Sequence, residues 1–445
     1  MPEGNDDGIA QAMSEAASTV SEAAGAVREA TGAGEPRLAR RMNLPLLVLY
    51  GLSVTVGAGI YVLIGEVAAR AGPYTPVAFL GASLLVALSA ASYAELSARF
   101  PISAGEAAYV RAGLGVPTLA LVVGLMVATA GIVSSAALLR GGAGYVQEFV
   151  TAPVWLIALL AGIAISAIAA WGISQSAWTA AILGICEVGL LVVIISLGLI
   201  DSAPLGTALE RLTDTPAPGQ LAGISGAILI AFFAFIGFED MVNVAEEVED
   251  PVRTMPLAIA ATLIITALLY FSVAFVAIAH VPLAELSASS APLTLLFARL
   301  TGAASSSGHA VTLVAIAAVL NGVLVQLVMS SRVLYGLARM GHLPEPLGRV
   351  AAATRTPLFA TGLVAILILT LCLFAETPAL ADLTSSLTLV IFAMVNLALW
   401  RMKASGQPDG EKYFTVPMWV PIAGFVVSLG FVAYEWASRF GLMTG

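Results

Sequence analysis

Residues 54–60 read VTVGAGI and residues 232–240 read FFAFIGFED, and these two stretches decide the fold. Each lies within a long apolar run and places glycine near the middle of that run. Glycine in a helix interior costs about 1 kcal/mol relative to alanine, so unwinding at these points is cheap. Unwound backbone at membrane depth is tolerated only where it lines a cavity. The two stretches therefore predict two interrupted helices that face a binding cavity.

The composition places the whole chain in a membrane. Of its 445 residues, 59% are hydrophobic and only 11% are charged, which is too little charge to cover the surface of a soluble protein of this size. A bilayer-spanning helix needs roughly 20 mostly apolar residues, and such runs recur from residue 44 to the end. The strands of membrane β-barrels alternate polar and apolar residues, whereas these runs are continuously apolar. The predicted fold class is an all-α polytopic membrane protein.

The apolar runs between helix breakers predict eleven spans, numbered here in chain order. Their predicted ranges are 45–70, 75–98, 117–147, 154–171, 177–200, 221–247, 255–280, 310–340, 357–375, 380–401 and 417–438. Spans 3 and 8 exceed one bilayer thickness and are expected to tilt or protrude. Most of the 19 basic residues fall on one side of the membrane if the N-terminus is cytoplasmic. This distribution predicts a multi-pass protein of the cell membrane with its N-terminus inside and its C-terminus outside.

The order of the spans predicts three regions. Residues 1–36 are rich in Ala, Glu, Ser and Gly, lack the apolar core of a signal peptide, and are expected to form a flexible cytoplasmic tail. Residues 37–403 contain ten spans and are expected to form the transport core. The two interrupted helices are the first and the sixth of these spans. That spacing suits two inverted five-helix repeats with a substrate site between the paired breaks. Residues 404–445 are expected to form a loop and one accessory span.

Two free helix ends at a break favour a particular kind of ligand. The second half of interrupted span 1 presents unpaired N–H groups and a positive dipole end, which suit a carboxylate. Carbonyl groups freed in spans 1 and 6 suit an ammonium group, so a zwitterionic amino acid satisfies both. The alternative interpretation is that the glycines only let helices pack closely, as small residues do in membranes. The occurrence of both interruptions at matching positions favours the binding site.

Several ordered blocks resemble the amino acid–polyamine–organocation (APC) superfamily of permeases. They read GAGIYVLIG at 57–65, YAELSARFP at 93–101 with Gly105-Glu106 beyond, GFED at 237–240, AEEVEDP at 245–251, and SRVLYGLAR at 331–339. The resemblance covers about residues 43–440. Within the superfamily, the chain most resembles the cationic-amino-acid-transporter-like and bacterial amino acid permease branches. It implies a leucine-transporter-like core of five plus five inverted helices that works by alternating access. Relatives usually carry twelve spans, so the eleven here leave the oligomeric state open.

By position, the resemblance also implies a substrate site. The α-carboxylate is expected at the backbone of the span 1 break, and the α-ammonium at carbonyl groups of both breaks. A span 6 phenylalanine is expected to cap the site, and a polar residue of span 8 to face the substrate. The residues implied are Thr55, Gly57, Ala58, Gly59, Phe233, Ala234, Phe235, Ile236 and Asn321.

Glu187, in the apolar span 5, is the candidate for ion coupling. Some proton-coupled relatives carry a lysine at this position, so the charge is reversed here. An ionisable side chain at that depth is costly and marks a functional candidate, which favours a proton carrier. The alternative is a protonated carboxyl that bonds a carbonyl of span 1 or 8 and only fixes packing. Sodium coupling is a weaker alternative, because Asn321 stands where a sodium site would want a hydroxyl ligand.

Glu239 and Asp240, just after the span 6 break, have two interpretations. Either residue could gate the cytoplasmic path or attract a cationic substrate, or it could cap the restarted helix, whose first turn favours acids. The other pocket candidates are small or apolar, which favours a small neutral amino acid as the substrate.

Taken together, these features predict a secondary active transporter of a small amino acid, coupled to protons, that works by alternating access. Alternatives are an amino acid/amine exchanger, a polyamine transporter and a non-transporting amino acid sensor. An enzyme is not expected, because no nucleophile–base spacing appears. His280, His309 and His342 are too scattered for a metal site, so neither a metal nor a cofactor is expected. The expected partners are the amino acid, a proton and the lipid bilayer, with no nucleic acid.

Overall fold

The computed structural model describes residues 38–147, 149–289, 291–302, 308–374, 377–406 and 413–439. Within these ranges the chain is a bundle of helices, and the only β-structure is an isolated bridge between Met42 and Val248. The predicted tail of residues 1–36 lies outside the described residues. The division into three regions therefore stays a prediction.

Eleven spans cross the bundle, as predicted. They are Leu44–Thr55 continued by Ala58–Ala71, then Thr75–Arg99, Pro117–Val146, Val154–Trp171, Ile173–Ile200, Pro218–Phe233 continued by Phe238–Glu247, Pro251–His280, Gly308–Arg339, Leu358–Phe374, Thr377–Ala404 and Trp419–Arg439. In the described part of the chain, nine helices are long and apolar enough to cross a membrane, and spans 9 and 11 contribute shorter apolar helices. Spans 3 and 8 have 30 and 32 residues, so the prediction that they exceed one bilayer thickness is confirmed.

Both predicted interruptions are present. In span 1 the N–H of Val56 donates to the carbonyl of Leu52, and a new helix then begins at Ala58. In span 6 the α-helix ends at Phe233. The following residues form tighter i to i−3 bonds, and the span continues as a 3₁₀ helix over Phe238–Glu247. The helical hydrogen-bond ladder is therefore lost midway through both spans.

Glycine allows the two breaks to pack directly on each other. A Cβ atom on Gly59 would lie 3.0 Å from the Cα atom of Ala234, so span 1 can touch the span 6 backbone only through a glycine. Gly237 has φ +129°, and a Cβ atom there would lie 2.9 Å from the Val54 side chain. Only glycine adopts such a φ without strain. The pairing of the breaks thus depends on residue type at two positions.

The other spans support this central pair. Span 3 packs along span 8, span 2 packs along span 7, and span 11 packs against spans 2 and 10. The Glu95 carboxylate of span 2 pairs with Arg99 and with Lys403 of span 10, and it accepts a hydrogen bond from the N–H of Val416 at 2.7 Å. This buried carboxylate fixes the chain that leads into the accessory span.

Four short helices outside the spans were not predicted. They are Gly105–Leu114, Leu205–Thr213, Leu283–Ala288 and Pro292–Thr301. The first is the one that bears on the site. It begins after Ala104, whose φ is +58°, and the N–H of Gly105 donates to Asn243 Oδ1 at 3.1 Å. This bond ties the short helix to the second half of span 6.

The backbone conformation of Gly237 can be tested by substitution. We expect Gly237→Ala to lower the free energy of unfolding by about 2 kcal/mol or more, because it combines a left-handed φ with a steric clash. Thermal unfolding of the purified protein in detergent measures this. Gly189→Ala is the matched control, since nothing lies within 4 Å of a Cβ atom there. Equal melting temperatures for the two variants would contradict the assigned backbone.

Candidate functional site

A cavity of about 210 Å³ lies between the two helix breaks. Spans 1, 3, 6, 8 and 10 and the short helix Gly105–Leu114 all contribute to its wall. The lining residues are Val54, Gly57, Glu106, Val127, Ala130, Ser134, Leu138, Phe233, Ile236, Gly237, Glu239, Asp240, Ala318, Gly322, Gln326, Met329, Thr384, Ser385, Thr388 and Ile391. The structure therefore places a cavity where the sequence predicted a binding site.

The span 1 break offers an anion-binding end to this cavity. Gly57 lines the cavity and is the N-cap of the helix that starts at Ala58. The first N–H groups of a helix have no intrahelical partner, and the helix dipole adds a partial positive charge there. A carboxylate at this end would therefore be stabilised by backbone groups alone.

Tyr270 of span 7 joins the carbonyl groups of the two breaks. Its buried hydroxyl lies 2.8 Å from the carbonyl oxygen of Thr55 and 2.9 Å from that of Ala234. A hydroxyl carries one proton, so it can donate to only one of the two carbonyls at a time. The other carbonyl is then left without this donor, and neither Thr55 nor Ala234 is among the described residues that line the cavity.

The remaining predicted residues of span 6 divide between the cavity and its support. Phe233 and Ile236 line the cavity. Phe235 is buried and does not line it; its ring centroid lies 5.0 Å from that of Tyr270. Of the two phenylalanines proposed as the cap, Phe233 therefore borders the cavity. Ala234 contributes its carbonyl oxygen.

Glu187 and Asn321 meet behind the span 1 break. The Asn321 amide donates to Glu187 Oε1 and to the carbonyl oxygen of Ser53, both at 2.9 Å. Glu187 Oε2 and Asn321 Oδ1 are buried and have no hydrogen-bond partner among the described residues. Neither side chain lines the cavity. The prediction that Asn321 contacts substrate stays a prediction, and its observed contacts are with span 1 and span 5.

Three carboxyl groups line one wall of the cavity: Glu106, Glu239 and Asp240. Glu239 Oε2 accepts a hydrogen bond from the N–H of Gly237, the residue just before the 3₁₀ helix, at 2.8 Å. Asp240 Oδ2 accepts from the side-chain amide of Gln326. The Glu106 carboxyl lies beside the side-chain amide of Asn243. We call these three carboxyl side chains the acidic wall.

The environment of Glu106 alters its titration. Burial raises the pKa of Glu106 to about 8, since an ionised carboxyl is disfavoured away from water. The nearby carboxyl of Glu239 adds to this rise, whereas the Asn243 amide opposes part of it. Glu106 can therefore gain or lose its proton near neutral pH.

The end of the bundle that holds residues 38–42 is closed. Arg332 and Glu247 form a fully buried ion pair with a shortest distance of 3.1 Å. Beside it, the N–H of Met42 donates to the carbonyl of Glu247, and the N–H of Glu249 donates to the carbonyl of Met42. The chain entering span 1 is thus bonded to the end of span 6.

Sequence reasoning did not assign Ser53, Tyr270 or Gln326, and it noted Glu106 only as part of a resembling block. Tyr270 and Gln326 are polar side chains in the middle of apolar spans, which is a weak indication of function. Ser53 acts through its backbone carbonyl, which no side-chain pattern reveals.

Two inverted repeats with facing helix breaks around a central cavity are the architecture of secondary membrane transporters. The family model of the amino acid permeases matches residues 44–438, and the chain belongs to this family.

Three comparisons illustrate the relationship. The chain is 31% identical over 396 residues to "Cationic amino acid transporter 4, vacuolar" of Arabidopsis thaliana, covering 85% of this chain and 65% of that protein. It is 26% identical over 419 residues to "Branched-chain amino acid permease BcaP" of Bacillus subtilis (strain 168), and the match covers 89% of this chain and 87% of that protein. The crystal structure of MhsT in complex with L-phenylalanine superposes with a TM-score of 0.63 at 16% identity, over 90% of this chain and 99% of that one. The last match shows the leucine-transporter-like fold that the sequence predicted.

The Tyr270 hydroxyl yields a prediction about the coupling of the breaks. Tyr270→Phe removes a donor that lies within hydrogen-bond distance of two carbonyls, so we expect a loss of about 1–2 kcal/mol of stability. Melting temperature in detergent checks it. The matched control is Tyr61→Phe, because the Tyr61 hydroxyl donates to a single carbonyl, that of Glu187, at a longer 3.2 Å. If Tyr270→Phe were no more destabilising than Tyr61→Phe, the bridging role would be refuted.

Proposed function

We propose that this protein is a secondary active transporter that moves a small amino acid across the cell membrane by alternating access. The observation that carries the proposal is the cavity between two facing helix breaks. One break supplies free N–H groups around Gly57, and the other supplies the carbonyl of Ala234 beside that of Thr55. A zwitterion has the charges that these two ends complement.

Several features support an amino acid as the substrate. The names of the two relatives refer to cationic and to branched-chain amino acids, so an α-amino acid is what they have in common. The chain spans 65% of the length of the first of these relatives. The cavity of about 210 Å³ favours a small substrate over a long polyamine.

The closed end supports a direction for the transport cycle. With the N-terminus cytoplasmic, the Arg332–Glu247 pair and the Met42 contacts close the cytoplasmic side. Spans 1 and 6 must separate there before substrate can leave inward. Since Met42 directly precedes span 1 and Glu247 ends span 6, binding at the breaks and opening of this end act on the same two spans.

Proton coupling through Glu187 is the second part of the proposal. Glu187 Oε2 and Asn321 Oδ1 are two buried acceptors without a donor. A proton on the carboxyl adds a donor to this group and removes a buried charge. Because Asn321 also holds the Ser53 carbonyl of span 1, a change at Glu187 is transmitted to the break that binds substrate.

Uptake into proteoliposomes tests transport itself. The purified protein, reconstituted and given radiolabelled amino acids with an inward proton gradient, is expected to accumulate one of them above equilibrium. Uptake only against a preloaded amino acid or amine would identify an exchanger instead. Binding in detergent without any uptake in either format would identify a sensor and refute the proposal.

Glu187→Gln tests the coupling ion. The variant keeps the hydrogen-bond acceptor but cannot carry a proton, so we expect the rate ratio between about pH 6 and pH 8 to fall to about one. Substrate should still equilibrate, because the breaks are untouched. Glu210→Gln, on the exposed helix Leu205–Thr213, is the control and should keep the pH dependence. An unchanged pH ratio in Glu187→Gln would remove Glu187 as the carrier.

A further inference from the structure

Three buried hydroxyl groups at the first half of span 1 have no hydrogen-bond partner among the described residues. They belong to Tyr50, Thr262 and Thr266, and each of these residues is at most 1% exposed. Native proteins pair nearly all buried polar atoms, because a buried donor or acceptor without a partner costs free energy. The arrangement around this half-helix therefore leaves polar groups unsatisfied while the inner end is closed.

The two threonines lie on the face of span 7 that packs against span 1. Thr262, Thr266 and Tyr270 follow one another at intervals of four residues, so they share one helix face. A Cβ atom on Gly51 would lie 2.6 Å from Thr262 Oγ1, and the Tyr270 hydroxyl lies 2.8 Å from the carbonyl oxygen of Thr55. Thr266 is one helical turn from each neighbour, so this polar face runs along the first half of span 1.

The packing on the span 1 side explains why Thr262 lacks a partner. Gly51 presents only backbone C–H groups to it, and the Met241 sulfur, which would lie 2.5 Å from a Cβ atom on Gly51, is a weak acceptor. The Thr55 hydroxyl already donates to the carbonyl of Gly51 at 2.9 Å. Spans 1 and 7 therefore fit closely here without a good hydrogen-bond partner for Thr262.

Tyr50 shows the same condition on span 1 itself. Its side chain interacts electrostatically with Asp240 and with the Arg332–Glu247 pair. Arg332 and Glu247 bond each other, and Asp240 accepts from the amide of Gln326. The Tyr50 hydroxyl thus lies near the closed end but forms none of the hydrogen bonds that hold it.

Unpaired hydroxyls at this surface favour its separation. When the inner end opens, water reaches the surfaces that part, and a hydroxyl exposed to water forms hydrogen bonds again. Nothing is lost in exchange, because these hydroxyls are unpaired in the closed arrangement. Each hydroxyl therefore lowers the free energy of the open arrangement relative to the closed one.

We infer that Tyr50, Thr262 and Thr266 form a release surface, which sets how often the first half of span 1 leaves its place at the closed end. The inference rests on the proposed alternating access and gives a role to three residues that do not line the cavity. A residue that only stabilises packing behaves in the opposite way, because removing its contacts makes opening more frequent.

Alkylation of a buried cysteine measures the opening. Ala245 is fully buried, two residues before the Glu247 of the closed end, and Ala245→Cys is made in protein whose Cys186 and Cys372 are replaced by serine. A water-soluble maleimide reacts only when the inner end opens, so its rate in detergent follows the open fraction. Leu47→Cys, buried on the first half of span 1, gives the same measurement if Ala245→Cys is not labelled.

We expect Thr262→Val and Thr266→Val each to slow the alkylation about fivefold or more, the factor typical of one hydrogen bond. Their melting temperatures should not fall, because valine keeps the shape and removes an unpaired polar group. Tyr50→Phe should act in the same direction. Unchanged or faster alkylation in both valine variants would overturn the inference, since it would mean that the hydroxyls do not favour opening.

Two control variants separate the hydroxyl from its methyl neighbour and from threonine in general. Thr266→Ser keeps the hydroxyl and should alkylate at the wild-type rate. Thr361→Val is the matched control on span 9, because Thr361 is also buried but its hydroxyl donates to the carbonyl of Pro357 at 3.1 Å. It should leave the alkylation rate unchanged.

The alkylation rate does not depend on the identity of the substrate, so the two proposals fail separately. Wild-type protein that takes up no amino acid would refute the proposed function. Wild-type uptake together with unchanged alkylation in the valine variants would refute the release surface alone.

Discussion

The structure depends on the loss of helical hydrogen bonds at the same depth in spans 1 and 6. A continuous helix satisfies its own backbone and offers nothing to a ligand within a membrane. Here the breaks face each other, with Gly59 against Ala234 and Gly237 against Val54. The two breaks therefore lie side by side at one cavity, which Gly57 and Gly237 line. The Tyr270 hydroxyl, within bonding distance of a carbonyl from each break, couples them further.

Everything else around the site acts on these two spans. The Asn321 amide connects Glu187 to the Ser53 carbonyl just before the first break. The Arg332–Glu247 pair lies where the second half of span 6 ends, and the chain entering span 1 is bonded to the same place. A movement of either half-helix would thus change the cavity and the closed end together, which is the mechanical requirement of alternating access.

The buried carboxyl groups of the bundle have different surroundings. Glu95 and Glu247 have cationic partners and hold helices together. Glu187 has a neutral partner behind the break, the side-chain amide of Asn321. The acidic wall has neutral donors and a cavity in front of it. The ionisable group is a carboxyl in all three cases, and the partners and the adjacent cavity are what differ between them.

Residue order alone determined the spans, their number and the location of both breaks, because long apolar runs and mid-run glycines have direct physical costs in a membrane. It also indicated Gly57, Phe233 and Ile236, which the structure places around one cavity. Only the tertiary structure decided that Phe235 packs behind that cavity, that Asn321 contacts Glu187, and that Glu106 joins Glu239 and Asp240 although more than 130 residues of sequence lie between them. Periodicity and composition report on local burial, whereas these contacts depend on how separate helices pack and on backbone carbonyls that every residue type carries.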